Sequence, residues 1–191
     1  MKKRKAKYLE NLYNYNGRSN SYEINLSLSN YEEIYNPYDY SQYRKRDMDE
    51  YFLDYIYEES LGIPLKYNVK LSFHIKKEIY DEEKTKNLKN AIKNNFKWRV
   101  EILSKKIKEL YNKAILLFLA GLLFLGLTMI FTTSVESVGS FFDIFVESLS
   151  IIWWVFLWDL IELLAFDLTK LLKKRRFLKR LVGSKVEFVE Y

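Results

Sequence analysis

Between Tyr22 and Leu28 every second residue is apolar (Tyr22, Ile24, Leu26, Leu28), the period of a strand with one face buried. Tyr67, Val69, Leu71, Phe73 and Ile75 repeat that alternation, with Lys66, Asn68, Lys70, Ser72, His74 and Lys76 between and around them. The stretch YEEIYNPYDYSQY between these runs is irregular around Pro37. From Asp47 the spacing of Met48, Phe52, Tyr55 and Ile56 predicts a helix that stops near Gly62 and Pro64. A third alternating segment, KVEFVEY at residues 185–191, reads as a strand, and the pattern leaves open whether it joins the same sheet. Residues 1 to about 20 are basic and rich in Asn and Tyr, so they read as an arm with little core of its own.

The period then changes. Leu88, Ile92, Phe96, Val100, Leu103, Ile107, Leu110 and Ala114 recur at helical steps, and no proline or glycine interrupts them. The last part has heptad spacing, which fits packing on other helices in a homo-oligomer or on the chain's own sheet. Residues 114–135 follow as 22 residues without a charge, long enough to cross a hydrocarbon core of about 30 Å. Residues 143–166 form a second apolar run, whose strictly uncharged part, Ser148 to Trp158, is shorter. Placed directly after a span, it reads as the return arm of a transmembrane hairpin. The expected fold is an α+β cytoplasmic domain fused to this two-helix hairpin, with a long amphipathic helix continuous with the first span.

Charge sharpens the picture. Lys and Arg number 31 and Asp and Glu 25, a net of +6. No basic residue lies between Ala114 and Thr169, while Lys105, Lys106, Lys108 and Lys113 precede that region and Lys170, Lys173, Lys174, Arg175, Arg176, Lys179 and Arg180 follow it. By the positive-inside rule both termini are cytoplasmic, and the expected location is the inner, cytoplasmic membrane. The basic start runs into YLENLYNYNGRS, which reads against a secretory signal. The expected layout is a sensing domain over 1–80, a juxtamembrane helix over 81–113, spans over 114–135 and 143–166, an extracytoplasmic loop over 136–142 and a basic tail over 167–191.

Enzyme chemistry finds little support. There is no cysteine and only one histidine, which removes thiol nucleophiles, Cys-ligated metals and most histidine triads. The phosphate-binding loop, the dinucleotide fingerprint, the nucleophile elbow and the zinc-protease motif are all missing from the sequence. No catalytic residue, metal site or cofactor is expected.

Carboxylates inside a membrane helix are costly and tend to face a polar interior or water. Counting about 100° per residue, Asp143, Glu147, Asp159 and Glu162 fall within one arc of about 160°. The stripe reads Glu147, Ile151, Trp154, Trp158, Glu162, with Asp159 at its border. In an oligomer these residues would line a pore, with acidic rings that attract cations and an apolar neck that closes by dewetting. Two other readings stand beside it: acids at the headgroup boundaries with lipid-facing tryptophans, and a packing seam with protonated acids. On the cytoplasmic side Arg44, Lys45, Arg46, Lys66, Lys70, His74 and Lys76, among 14 tyrosines in the first 80 residues, supply the cations and rings that a single-stranded nucleic acid needs. A Tyr- and Lys-rich composition by itself reads equally as a solvated surface.

The arrangement of a small domain, the basic amphipathic helix NLKNAIKNNFKWRVEILSKKIKELYNK, an acidic second span and the run KLLKKRRFLKR resembles the two-transmembrane effectors of nucleotidyltransferase-linked bacterial anti-phage defence. The resemblance is to the Hailong-type membrane effector and, more loosely, to SLATT-type effectors. It implies a homo-oligomeric, tetrameric ion channel in the lipid bilayer, held closed by short single-stranded DNA oligomers or a nucleotide signal made by a partner nucleotidyltransferase. Opening on infection would depolarise the cell. A non-conducting membrane scaffold or sensor that recruits a cytoplasmic partner is the competing expectation, and a holin-like protein would be expected to carry a smaller domain ahead of its spans.

Overall fold

A computed structural model describes residues 9, 11–40, 46–134 and 139–191. The elements are β1 (Asn14–Asn16), β2 (Ser21–Leu28), a 3-10 turn (Tyr31–Ile34), α1 (Glu50–Gly62), β3 (Asn68–Ile75), α2 (Glu82–Ser134), α3 (Ser140–Glu162), a π-helical segment (Leu163–Leu168), α4 (Thr169–Val182) and β4 (Lys185–Glu190). They divide into two compact units, one formed by Met1–Glu101 with Lys174–Tyr191 and the other by Ile102–Lys173.

In the first unit the strands form one sheet in the order β1-β2-β3-β4. β2, β3 and β4 are parallel, and β1 adds antiparallel to β2. The C-terminal strand thus joins the same sheet, a pairing that its sequence alone left open. Period-2 alternation fixes one face: Tyr22, Ile24, Leu26 and Leu28 of β2 and Val69, Leu71, Phe73 and Ile75 of β3 are all buried. Phe73 lies 4.9 Å from the Phe188 ring of β4 and 6.1 Å from Phe52 of α1. Leu53 and Ile56 of α1, Leu88, Ile92 and Phe96 of α2, and Phe177, Leu178 and Leu181 of α4 are buried as well.

Caps decide where the helices start. Asp49 accepts a hydrogen bond from the Phe52 N–H at 2.8 Å, so α1 begins at Glu50 and Met48 is left to bridge to Tyr35. Asp81 does the same for α2 through the Lys84 N–H at 3.0 Å. With no glycine before Gly121 and no proline at all, α2 then runs unbroken for 53 residues, which is the continuity expected of the juxtamembrane helix and first apolar run.

The described part of the N-terminal region departs from the expectation of a coreless arm. Leu9 is buried, the Tyr13 hydroxyl donates to the Glu59 carboxylate at 2.8 Å, and β1 pairs with β2. A three-residue strand of sequence NYN has no alternation to reveal it, and its stability comes from backbone pairing and from the ring cluster of Tyr13, Tyr15, Tyr22 and Tyr67. Within the stretch read as a basic tail, residues 169–182 are a helix with a buried face, which leads into β4.

The second unit packs α3 against the distal part of α2. Phe124 stacks on Phe156 at 5.6 Å, and Phe131 meets Phe142 and Phe145 edge-on at 5.9 and 5.8 Å. A Cβ added at Gly121 would stand 3.6 Å from the Phe156 Cβ, an ordinary van der Waals contact, so the helices are close here and would accept a small side chain. α3 begins at Ser140 behind Gly139, whose φ of +128° suits glycine. Leu103 and Ile107 of the heptad stretch are buried within the chain itself. Both helices are long and apolar enough to cross a membrane, and their most apolar windows are only 6% and 11% buried; the core helix of a soluble protein would be mostly covered. The hydroxyls of Thr128, Thr132, Thr133, Ser148 and Ser150 each donate to a carbonyl of their own helix, which satisfies them without water.

Candidate functional site

Two features carry chemistry, one in each unit. On α3 the contact face is set by Leu149, which is buried, and by Phe142, Trp153, Phe156 and Leu160, which are partly covered. Phe156 stacks on α2, and Trp153, Phe156 and Leu160 line a narrow apolar groove of about 80 Å³ with Leu117 and Gly121. At about 100° per residue, this face is centred roughly opposite the stripe of Glu147, Ile151, Trp154 and Trp158. The structure agrees: Ile151, Trp154 and Trp158 are 60%, 49% and 63% exposed, and Glu147, Asp159 and Glu162 are exposed too. The six residues proposed from the sequence are thus all exposed, with Ile151, Trp154, Trp158 and Glu162 on the side of α3 opposite its contact with α2 and Glu147 and Asp159 toward the edges of that side, and Asp143 is exposed with them. Near one end, Asp143 and Glu147 line a cleft of about 370 Å³ together with Phe131, Thr132, Phe142, Val146 and Ser150.

The second feature is the polar face of the sheet. Register places Glu23 of β2 opposite Lys70 of β3, and Ser72 opposite Glu187 of β4. The Lys70 ammonium lies 2.8 Å from the Glu23 carboxylate and 2.7 Å from that of Glu187. Ser72 donates to Glu23, and Lys185 pairs with Glu187. Lys185 and Lys70 hold the Glu187 carboxyl down at about 2, and the two carboxylates raise Lys70 above the usual lysine range. Burial pushes Glu23 up, but its bonds to Lys70 and Ser72 outweigh that and leave it lowered. Next along β3, His74 Nε2 stands 3.1 Å from Asn25 Oδ1.

Of the seven residues proposed as ligand contacts, the five described ones are held by different elements. Lys70 and His74 share the polar face of β3. Lys66 precedes the strand with its ammonium 4.5 Å from the centre of the Tyr67 ring, and Lys76 follows the strand exposed. Arg46 belongs to another network, paired with Glu32 and donating through Nε to the Asp39 carbonyl at 2.7 Å. Arg44 and Lys45 lie outside the described residues.

The sequence reading missed a cleft of about 550 Å³ where the three parallel strands begin. Asn16, Arg18 and Ser19 of the β1–β2 turn, Asn68 and Lys70 of β3, and Gly183, Lys185 and Glu187 around β4 line it. Arg18 and Lys185 went unnoticed because only the parallel pairing of β4 brings residue 185 beside residue 70. Arg180 was also missed as an anchor: its guanidinium donates to the carbonyls of Ser60, Ile63 at 2.9 Å and Pro64 at 3.0 Å. Among the described residues no group of three or more His, Cys, Asp or Glu is placed to hold a metal ion. Comparison with protein-family models, with curated proteins and with solved structures finds no match to this chain.

Proposed function

We propose that this protein is a homo-oligomeric, cation-permeable channel of the bacterial inner membrane, gated by a nucleic-acid or nucleotide ligand on its cytoplasmic sheet unit. The observation that carries the reading is the exposed acidic and aromatic stripe of α3. A carboxylate facing lipid is costly, about 2.5–3.5 kcal/mol on insertion scales at the bilayer centre and less toward the ends of a span. A ring of stripes from several copies around water removes that cost and makes a cation path. Glu147 and Glu162 then stand toward the two mouths, and Ile151, Trp154 and Trp158 form the neck.

The ligand acts through the two helices that leave the sheet unit, α2 and α4. The resemblance to anti-phage effectors supplies the physiological role: short DNA oligomers made by a partner nucleotidyltransferase keep the pore closed, and their loss during infection depolarises the cell. The cleft edged by Arg18 and Lys185 adds two cations to the ligand surface read from the sequence.

Purified protein in liposomes is expected to pass cations, and short single-stranded oligonucleotides, deoxyadenylates among them, are expected to suppress the flux. Glu147→Gln and Glu162→Gln should each shift the reversal potential in a salt gradient toward zero. An unshifted potential would overturn the pore-face assignment. Absence of flux from assembled oligomers would leave a membrane scaffold that recruits a cytoplasmic partner.

A further inference from the structure

The helical chain from Ser140 to Val182 has one irregularity, the π-helical segment Leu163–Leu168. Such a segment is an α-helix holding one residue too many, and it recurs at functional sites because its geometry is poorer than that of the α form. Here it has a packing consequence. In regular α geometry Leu168 would lie about 140° around the helix from Leu163. Both are nonetheless buried, at 4% and 6% exposure, because the extra residue takes up about 100° and brings them back onto one face. Thr169 adds a local satisfier, donating through Oγ1 to the carbonyls of Ala165 and Phe166.

The segment separates a free stripe from a held helix. Upstream lie Trp158, Asp159 and Glu162, all exposed. Downstream, α4 is fixed by the burial of Phe177, Leu178 and Leu181 and by the Arg180 guanidinium on the carbonyls of Ser60, Ile63 and Pro64. An extra residue in a helix can migrate by a turn without unfolding it, and every residue it passes turns by about 100° relative to the rest. Moving it from the 163–168 segment into α3 would re-phase Asp159 and Glu162 while Glu147, Ile151 and Trp154 stay in place.

We propose that residues 163–168 are a two-state joint, in which migration of the extra residue switches Asp159 and Glu162 between two facings. Its role in gating rests on the channel reading; the joint itself does not. Because the chain has no cysteine, nitroxides can be placed directly at I161C, among the residues that the extra residue would pass, and at K173C beyond the segment, and their separation measured by pulsed EPR in liposomes. The unmodified joint should give two distance populations whose ratio changes with added oligodeoxyadenylate, and deletion of Ala165, which removes the extra residue, should collapse them to one. A single, unchanging distance in the undeleted chain, or two populations that survive the deletion, would overturn the joint. Cation flux from the same liposomes separates the two ideas: flux with one distance sinks the joint and keeps the channel, and two distances without flux keep the joint and sink the channel.

Discussion

Glu187 shows how much one position on the polar face of the sheet depends on its neighbours. Its carboxyl sits at about 2 against an ordinary 4.5, first because Lys185 bonds to it and then because Lys70 does. A depressed carboxyl contributes stability above its unfolded value, and that contribution is lost as the pH falls through the folded one. The sheet unit should therefore lose stability between about pH 4.5 and pH 2, with Glu23 contributing in the same direction. Thermal unfolding followed across that range should show a smaller acid-induced fall for Glu187→Gln than for the unchanged protein. An identical fall in both would mean that solvent already screens the pair. None of this was legible locally, because Lys70, Glu187 and Glu23 come from three strands that only the finished sheet brings together.

Between elements, Arg180 performs the joining. Its guanidinium reaches the carbonyls at the C-terminal end of α1 and in the turn that follows, where a helix leaves acceptors without intrahelical donors. The run KLLKKRRFLKR reads as topology and headgroup contact because its charge is so dense, and density hides the one arginine turned inward. Arg180→Met should destabilise the sheet unit by about 1–3 kcal/mol, since several partly buried acceptors lose a charged donor at once. Arg180→Lys should fall between, because an ammonium keeps the charge but not the fork. The urea midpoint of the purified protein in detergent, followed by circular dichroism, checks both; midpoints that do not move would make the contact incidental. The other elements sort by signal strength. The alternating strands and the uninterrupted α2 were legible because period and length were long, whereas β1 was too short and polar to register. The π segment was invisible because an extra residue in a helix leaves no mark on composition, only on which of Leu163 and Leu168 can share a face.

The whole molecule ties its ends together. β3 and β4 are neighbours in one sheet, yet α2, α3 and α4 separate them in sequence. If α2 and α3 each cross a bilayer, the chain must cross twice and return, since a sheet cannot pair strands through hydrocarbon. The pairing thus supports a hairpin without appeal to the lysine distribution, which is needed only to say which side is cytoplasmic. The hairpin and its sidedness can be tested separately with single cysteines in this cysteine-free chain. Tyr38→Cys and Tyr191→Cys replace residues that are 94% and 62% exposed, and Phe141→Cys one that is 92% exposed at the start of α3. In intact cells an impermeant maleimide should label only the Phe141→Cys variant, and in inverted membrane vesicles only the other two. Labelling of Tyr38→Cys and Tyr191→Cys from opposite sides would contradict the shared sheet, labelling of all three from one side would mean that the hairpin does not cross, and the pattern with inside and outside exchanged would keep the hairpin but place the sheet unit, and any ligand it binds, outside the cytoplasm.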